Sequence, residues 1–372
     1  MTQLMVSRAP ILRPRYSAGG GGGTIADGQA ITITGSGFGT NVVTQDFLGG
    51  LNNPVEAAAN NTMFTSLSYT AWNTYSDNAA HVSSTRAFTR NKSLNVTYPT
   101  FNAFGLVRNF GTYKSMYTRQ IIYLDTGAFT NGQFKILRHV GVPVGTIPKS
   151  GDSSTNANGT TNANSVHEDG RLPNTLLHQF RVGGPGDYLT IQATGHPGDE
   201  PGFASNALLP YNSWGILETV FKPDSTVGAG DGTFQIRCID GTTGTVYGNE
   251  TIGPRLFWNS ADAAFEWLVV QFYIGNGLQQ TGVGAYLDPD QYVSVNAASS
   301  TTPRFILMGD ASTYAACTKR TMSICPFTSW SDTSITFNAN KALLTSLNNG
   351  SAWAYAMSGI NTPINTSGYS PT

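Results

Sequence analysis

The residues of this chain that could do chemistry are polar side chains set at every second position within apolar strands. In Thr233–Ile239, TFQIRCI, placing Phe234, Ile236 and Cys238 in a core turns Gln235 and Arg237 outward. In Trp267–Ile274, WLVVQFYI, placing Leu268, Val270 and Phe272 inward turns Gln271 and Tyr273 outward. Gln192 in YLTIQAT and Glu218 in WGILETVFK are expected to extend the same polar row. Amide, carboxylate, guanidinium and aromatic groups on one sheet suit a sugar, because hydroxyls take planar bidentate partners and the apolar ring face takes a π surface. An ordinary solvated or subunit-contacting sheet face would read the same way, and both readings stay open at this stage.

Other chemistries find less support. Glycoside hydrolysis needs two carboxylates flanking the scissile bond, and Glu218 stands alone on its strand. Tyr273 with Arg237 could support a β-elimination, the tyrosine moving the proton and the arginine offsetting a uronate charge. The five histidines, His81, His139, His167, His178 and His196, show no metal-ligand spacing. No cofactor is expected, although Asp288-Pro289-Asp290 and Asp199-Glu200 gather hard oxygen ligands that could each bind Ca²⁺. Cys238, Cys317 and Cys325 read as reduced core residues, with a Cys317–Cys325 bridge as the alternative.

The elements that must position these groups are strands. Charged residues make up 12% of 372, about half the usual share, while the chain holds 42 glycines. That is a profile of short strands joined by many turns. Tyr113–Leu124, Gly132–Val140, Tyr188–Thr194, Trp214–Lys222, Thr233–Ile239 and Trp267–Ile274 are expected strands, and the Asp231-Gly232 and Asp240-Gly241 pairs mark turns. A formal net charge of −1 without a Lys/Arg cluster gives no footprint for nucleic acid. No apolar run is long enough to span a membrane, and the opening residues lack the apolar region of a secretory signal. Gly151–Ser165 reads as a polar low-complexity loop. Residues 1–23, with Arg8, Arg13 and Arg15 among Pro10 and Pro14 and a closing run Gly19–Gly23, read as an extended arm suited to lie along a partner.

Two resemblances organise these strands. Gln29–Gly39, QAITITGSGFG, resembles the first hairpin of the IPT/TIG immunoglobulin-like modules, and Trp330–Phe337, Ala352–Met357 and Gly368-Tyr369 resemble the later strands of such a module. Between them, Trp214/Glu218/Lys222, Asp231–Ile236 and Phe272–Gly275 follow the order seen in concanavalin A-like jelly rolls of the polysaccharide-lyase and lectin branch, with Arg304–Asp310 as the closing strand. The resemblance implies an all-β fold, a large jelly-roll sandwich over residues 50–326 inserted in an immunoglobulin-like β-sandwich made of 24–49 and 327–372. Two departures weaken an enzyme. The closely spaced acidic strand of the glucanase relatives is absent, and Gln235-Ile236-Arg237 puts Arg where the lyase pattern has His. Three function classes follow. The first is a structural component of a bacteriophage particle, a capsid decoration, fibre or tail protein on the virion surface. It would meet other virion proteins through the N-terminal arm and host-surface polysaccharide through the jelly roll. The others are an extracellular bacterial carbohydrate-binding protein and a polysaccharide lyase.

Overall fold

The structure, a computed structural model, describes residues 15–18, 25–40, 43–49, 53–69, 73–75, 80–97, 104–110, 113–125, 133–143, 175–181, 188–194, 203–226, 228–255, 265–275, 284–296, 303–348 and 350–369. Among them nearly every element is a strand. The one α-helix is the four-residue turn Pro54–Ala57, started by Asn53, whose side chain accepts from the Val55 N–H. No helix among the described residues is long and apolar enough to cross a membrane.

Two large antiparallel sheets form the body. The nine-stranded sheet runs Val246–Arg255, Gly232–Asp240, Trp214–Lys222, Ser115–Leu124, Gly284–Leu287, Ser93–Thr97 and Ala80–Ser83, with Tyr292–Asn296 also beside Ser115–Leu124 and Val43–Phe47 beyond it. The seven-stranded sheet runs Phe203–Pro210, Tyr188–Thr194, Thr175–Arg181, Gln133–Pro143, Phe265–Gly275, Phe104–Asn109 and Asn73–Tyr75. The chain passes repeatedly from one sheet to the other: Ser93–Thr97, Ser115–Leu124 and Gly284–Leu287 lie in the first, Phe104–Asn109, Gln133–Pro143 and Phe265–Gly275 in the second. This is the wiring of a jelly-roll-type sandwich.

The core explains the sequence of the nine-stranded sheet. Its inner face contributes Met116, Ile122, Leu124, Leu217, Phe221, Phe234, Ile236 and Cys238, and Leu209 from the seven-stranded sheet packs into the same cluster. The alternation read in TFQIRCI is the one observed. Its outer face is covered as well, so the strand Trp214–Lys222 is apolar or buried at almost every position rather than at alternate ones.

A smaller sandwich does the covering. Its four-stranded sheet has the order Arg15–Ala18, Ala30–Thr34, Ser334–Asn338, Phe327–Trp330, and its three-stranded sheet Ser323–Cys325, Phe305–Gly309, Trp353–Met357. Ile31 and Ile33 from one end of the chain pack with Ile335, Phe337, Ala354, Ala356 and Tyr369 from the other. Ala30–Thr34 pairs with Ser334–Asn338 in register from Ala30↔Asn338 to Thr34↔Ser334. We refer to this unit as the terminal sandwich and to the larger one as the roll.

Three expectations are corrected here. Phe305–Gly309 does not close the roll. It pairs with Trp353–Met357 and Ser323–Cys325, sending Ile306 and Met308 into the terminal core and Phe305 and Leu307 towards the roll. A strand covered on both faces is a continuous apolar run, and such a run does not say which sheet owns it. Val43–Phe47, expected in the terminal unit, pairs with Tyr292–Asn296 of the nine-stranded sheet. Part of the arm expected to lie extended along a partner, Arg15–Ala18, is a strand paired within the chain with Ala30–Thr34, from Arg15↔Thr34 to Ala18↔Ile31. Residues 1–14 and 19–23, and the Gly151–Ser165 loop, lie outside the described residues.

Candidate functional site

Cross-strand register assembles the charged centre of the outer face. Glu218 lies opposite Arg237 on one neighbouring strand and opposite Arg119 on the other. One carboxylate therefore stands between two guanidinium groups. Arg237 Nε donates to Glu218 Oε2 at 2.7 Å and its Nη2 donates to the same oxygen, while Arg119 Nη1 lies 3.5 Å from Glu218 Oε1. The Tyr117 hydroxyl, two residues along the same strand from Arg119, donates to Glu218 Oε1 at 2.7 Å.

The terminal sandwich closes this cluster from above. Arg237 Nη1 donates to the Asn361 side-chain oxygen and lies 3.4 Å from the Tyr314 hydroxyl, which itself donates to Asn361 Oδ1 at 3.0 Å. Arg119 Nη2 donates to the Met322 carbonyl at 2.6 Å. Asn361 holds φ at +57°, a left-handed conformation that asparagine tolerates better than most residues. Around these polar contacts the Tyr117 ring stacks on Phe305 with centroids 3.7 Å apart, and Val220 and Tyr292 pack with Leu307, Tyr314 and Tyr355. Glu218 is 0% and Arg237 2% exposed.

The electrostatics are those of a closed cluster. Burial opposes ionisation of Glu218, but Arg237 and Arg119 outweigh it and hold its carboxyl below the usual range. For Arg237 burial opposes the charge and Glu218 overcomes it, so its pKa is raised. Tyr117 is pushed well above its ordinary value by burial and then by Glu218. Tyr314 is raised by burial against the pull of Arg237. None of these groups is poised near neutrality to give or take a proton.

The six residues read as one polar row do not share a sheet. Glu218, Gln235 and Arg237 belong to the nine-stranded sheet, whereas Gln192, Gln271 and Tyr273 belong to the seven-stranded one. Alternation reports which residues of a strand share a face and is silent on which strands are neighbours. Gln235 Nε2 reaches the Ile360 carbonyl at 3.5 Å, at the edge of the seam with the terminal sandwich. In the seven-stranded sheet, Gln271 lies in register with Val107 and Arg138, Tyr273 with Gly105, and Gln192 with Gln179 and Ala204.

Asp288 and Asp290 are turned to protein donors. Asp288 accepts from the Thr89 N–H at 2.9 Å, the Thr89 hydroxyl and the Asp290 N–H at 2.9 Å. Asp290 Oδ2 accepts from Asn340 at 3.1 Å, and Arg90 stands against its other oxygen. Among the described residues no group of three or more His, Cys, Asp or Glu is placed to hold a metal ion. Asp199-Glu200 lies outside them. Cys238, Cys317 and Cys325 are free and buried.

Sequence reasoning missed Tyr117, Arg119, Tyr314 and Asn361. Tyr117 and Arg119 sit at alternate positions of SMYTRQIIYL and carried a signal of the same kind as Gln235/Arg237. Tyr314 opens the single 3₁₀ turn Tyr314–Ala316 and Asn361 lies in a turn, and neither carried a periodic signal.

No family model matches the chain, and no curated protein does. Solved structures that it resembles include a double mutant of alginate lyase Aly36B in complex with alginate trisaccharide, at 12% identity and TM-score 0.41, covering 70% of this chain and 99% of that one. Alginate lyase vAL-1 from Chlorella virus, at 12% and 0.37, and lectin II from Ulex europaeus, at 12% and 0.33, each cover 61% of this chain and 93% of their own. At such identities and TM-scores, none of them decides what this chain binds.

Proposed function

We propose that this chain is a non-catalytic, glycan-binding β-protein, with Gln192, Gln271 and Tyr273 on the seven-stranded sheet as its recognition residues and Gln235 at the rim of the seam. The observation that carries this reading is the closure of the Glu218–Arg237 cluster. Its carboxylate, guanidinium and phenol groups are engaged with one another and with the terminal sandwich, so Arg237, the arginine of the possible elimination pair, acts as structure on a different sheet from Tyr273. A lyase would need a tyrosine near its operating pH and in reach of substrate. Tyr117 and Tyr314 are displaced upward and buried. Gln192, Gln271 and Tyr273 belong to the other large sheet, and amide and phenol groups are of the kind a sugar takes.

The terminal sandwich would serve as the carrier, an immunoglobulin-like module into which the roll is inserted. The resemblance of Gln29–Gly39 supports placing it on the surface of a bacteriophage particle, attached to other virion proteins through the N-terminal residues.

Glycan-array binding by the intact protein tests the reading, with Gln271→Ala and Tyr273→Ala alongside and polysaccharide incubations monitored for unsaturated sugar ends. Selective binding lost in both variants, with no new ends formed, is the expected result. Binding indifferent to both substitutions, or the appearance of unsaturated ends, would overturn it.

A further inference from the structure

Register carried strand by strand across the seven-stranded sheet sorts its residues into two rows. Asn73 lies opposite Val107, Val107 opposite Gln271, Gln271 opposite Arg138, Arg138 opposite Leu177 and Leu177 opposite Thr194. Residues directly opposite one another in an antiparallel pair share a face, so this row crosses six strands on one face. The row one residue along belongs to the other face and reads Thr74, Leu106, Phe272, Leu137, His178, Ala193 and Phe203. The first row is largely polar and the second largely apolar. That contrast is the one a sheet shows when one face is wet and the other packs on a core.

Alternation along each strand gathers more residues beside the polar row. Tyr273 and Tyr75 both lie opposite Gly105, two positions along from Gln271 and Asn73. At the other end Gln192 lies opposite Gln179, two positions along from Thr194 and Leu177. The register shifts after His178, which brings Lys135 opposite Gln179. The face that holds Gln192, Gln271 and Tyr273 therefore also holds Arg138 and Lys135.

Charge in this sheet is one-sided. Its strands carry Arg108, Lys135, Arg138 and Arg181 against a single carboxylate, Glu266. Glu266 pairs with Val142, at the far end of Gln133–Pro143 from Lys135. Arg138 stands in register between Gln271 and Leu177, and Lys135 between Gln179 and Gly275, so neither lies opposite a carboxylate. The nine-stranded sheet differs, because there Arg119 and Arg237 both lie opposite Glu218.

We propose that Arg138 and Lys135 set the specificity of the glycan face, and that its ligand is an extended, negatively charged polysaccharide laid across the strands and carrying carboxylate or sulfate groups. The inference rests on the glycan-binding reading above and adds to it the charge and the length of the ligand. With neighbouring strands about 4.8 Å apart, the polar row from Asn73 to Thr194 spans roughly 24 Å, which is more than one sugar ring covers. A planar guanidinium suits bidentate pairing with a carboxylate or sulfate, and the lysine supplies a second, point-like charge. The Gln, Asn and Tyr residues on either side suit the hydroxyls and ring faces between the charged groups.

Binding of the intact protein to matched polysaccharides tests this: a carboxylated chain and its carboxyl-reduced form, a sulfated chain and its desulfated form, and fragments of each from monosaccharide to hexasaccharide. We expect one of the charged chains to bind at least about tenfold more tightly than its neutral counterpart, to weaken as salt is raised, and to gain affinity with fragment length. The pair that shows the difference identifies the anionic group. Arg138→Gln should lose the preference for charge while keeping its affinity for the neutral chain, and Lys135→Gln should lose part of that preference. Equal affinity for the charged and neutral forms of both chains, affinity already complete at a monosaccharide, or a charge preference untouched in both variants would overturn the inference and leave the glycan-binding reading standing. Failure of the unsubstituted protein to bind any glycan would overturn that reading and this inference with it. The comparison of matched chains needs no variant, so it decides even where a substitution prevents folding.

Discussion

Glu218 is held by two arginines and a tyrosine, and the consequence is asymmetric. Removing the carboxylate leaves Arg119 and Arg237 facing each other in a buried seam, whereas the intact cluster is compensated on every side. Glu218→Gln should therefore cost about 3–5 kcal/mol in chemical denaturation, the range for breaking a buried ion pair at one partner; a loss under about 1 kcal/mol would contradict the assignment. The pH dependence of this cluster follows from the same contacts. With its folded pKa lowered, Glu218 contributes stability that is present above the unfolded value, about 4.3, and lost as pH falls through the folded one. Denaturation midpoints measured below about pH 4.3 should fall more steeply in the unsubstituted protein than in Glu218→Gln.

Elements place these residues by register, and the close approach at Gly49 shows how little slack the register leaves. Gly49 follows the strand Val43–Phe47, and a Cβ there would stand 2.0 Å from Asp290 Oδ1 and 2.8 Å from its Cα. Because the second of these is backbone, Gly49→Ala should shift the turn that carries Asp290 and cost on the order of 1–3 kcal/mol by thermal denaturation. A neutral outcome would mean that this turn is looser than the packing indicates. The element scale is also where the sequence was most readable. TFQIRCI and WGILETVFK gave their strands and the inward side of Phe234, Ile236 and Cys238, because period-two alternation is a local signal. Ownership was not readable. Phe305–Gly309 is apolar throughout because two different cores use its two faces, and Val43–Phe47 leaves the terminal unit for the roll through a pairing more than 240 residues distant in sequence. Gln192 and Glu218 looked alike for the same reason: each is a polar residue in an alternating strand, and only sheet order separates them.

At the scale of the whole molecule, the terminal sandwich and the roll are joined by apolar stacking, two charged clusters and the Arg320 contacts to the Gly241 and Thr242 carbonyls. Such a seam should make them unfold together. Heating at about pH 6 should give one calorimetric transition, with calorimetric and van't Hoff enthalpies in agreement; two separate transitions would show that the units are energetically independent. The account rests above all on the charged row of the nine-stranded sheet being a structural seam held by the terminal sandwich. A double-mutant cycle between Arg237→Ala and Asn361→Ala, read by chemical denaturation, tests this most directly, since the two side chains touch across the seam and are 124 residues apart in sequence. Coupling of about 1 kcal/mol or more is the expected result, and additivity within about 0.5 kcal/mol would contradict the account.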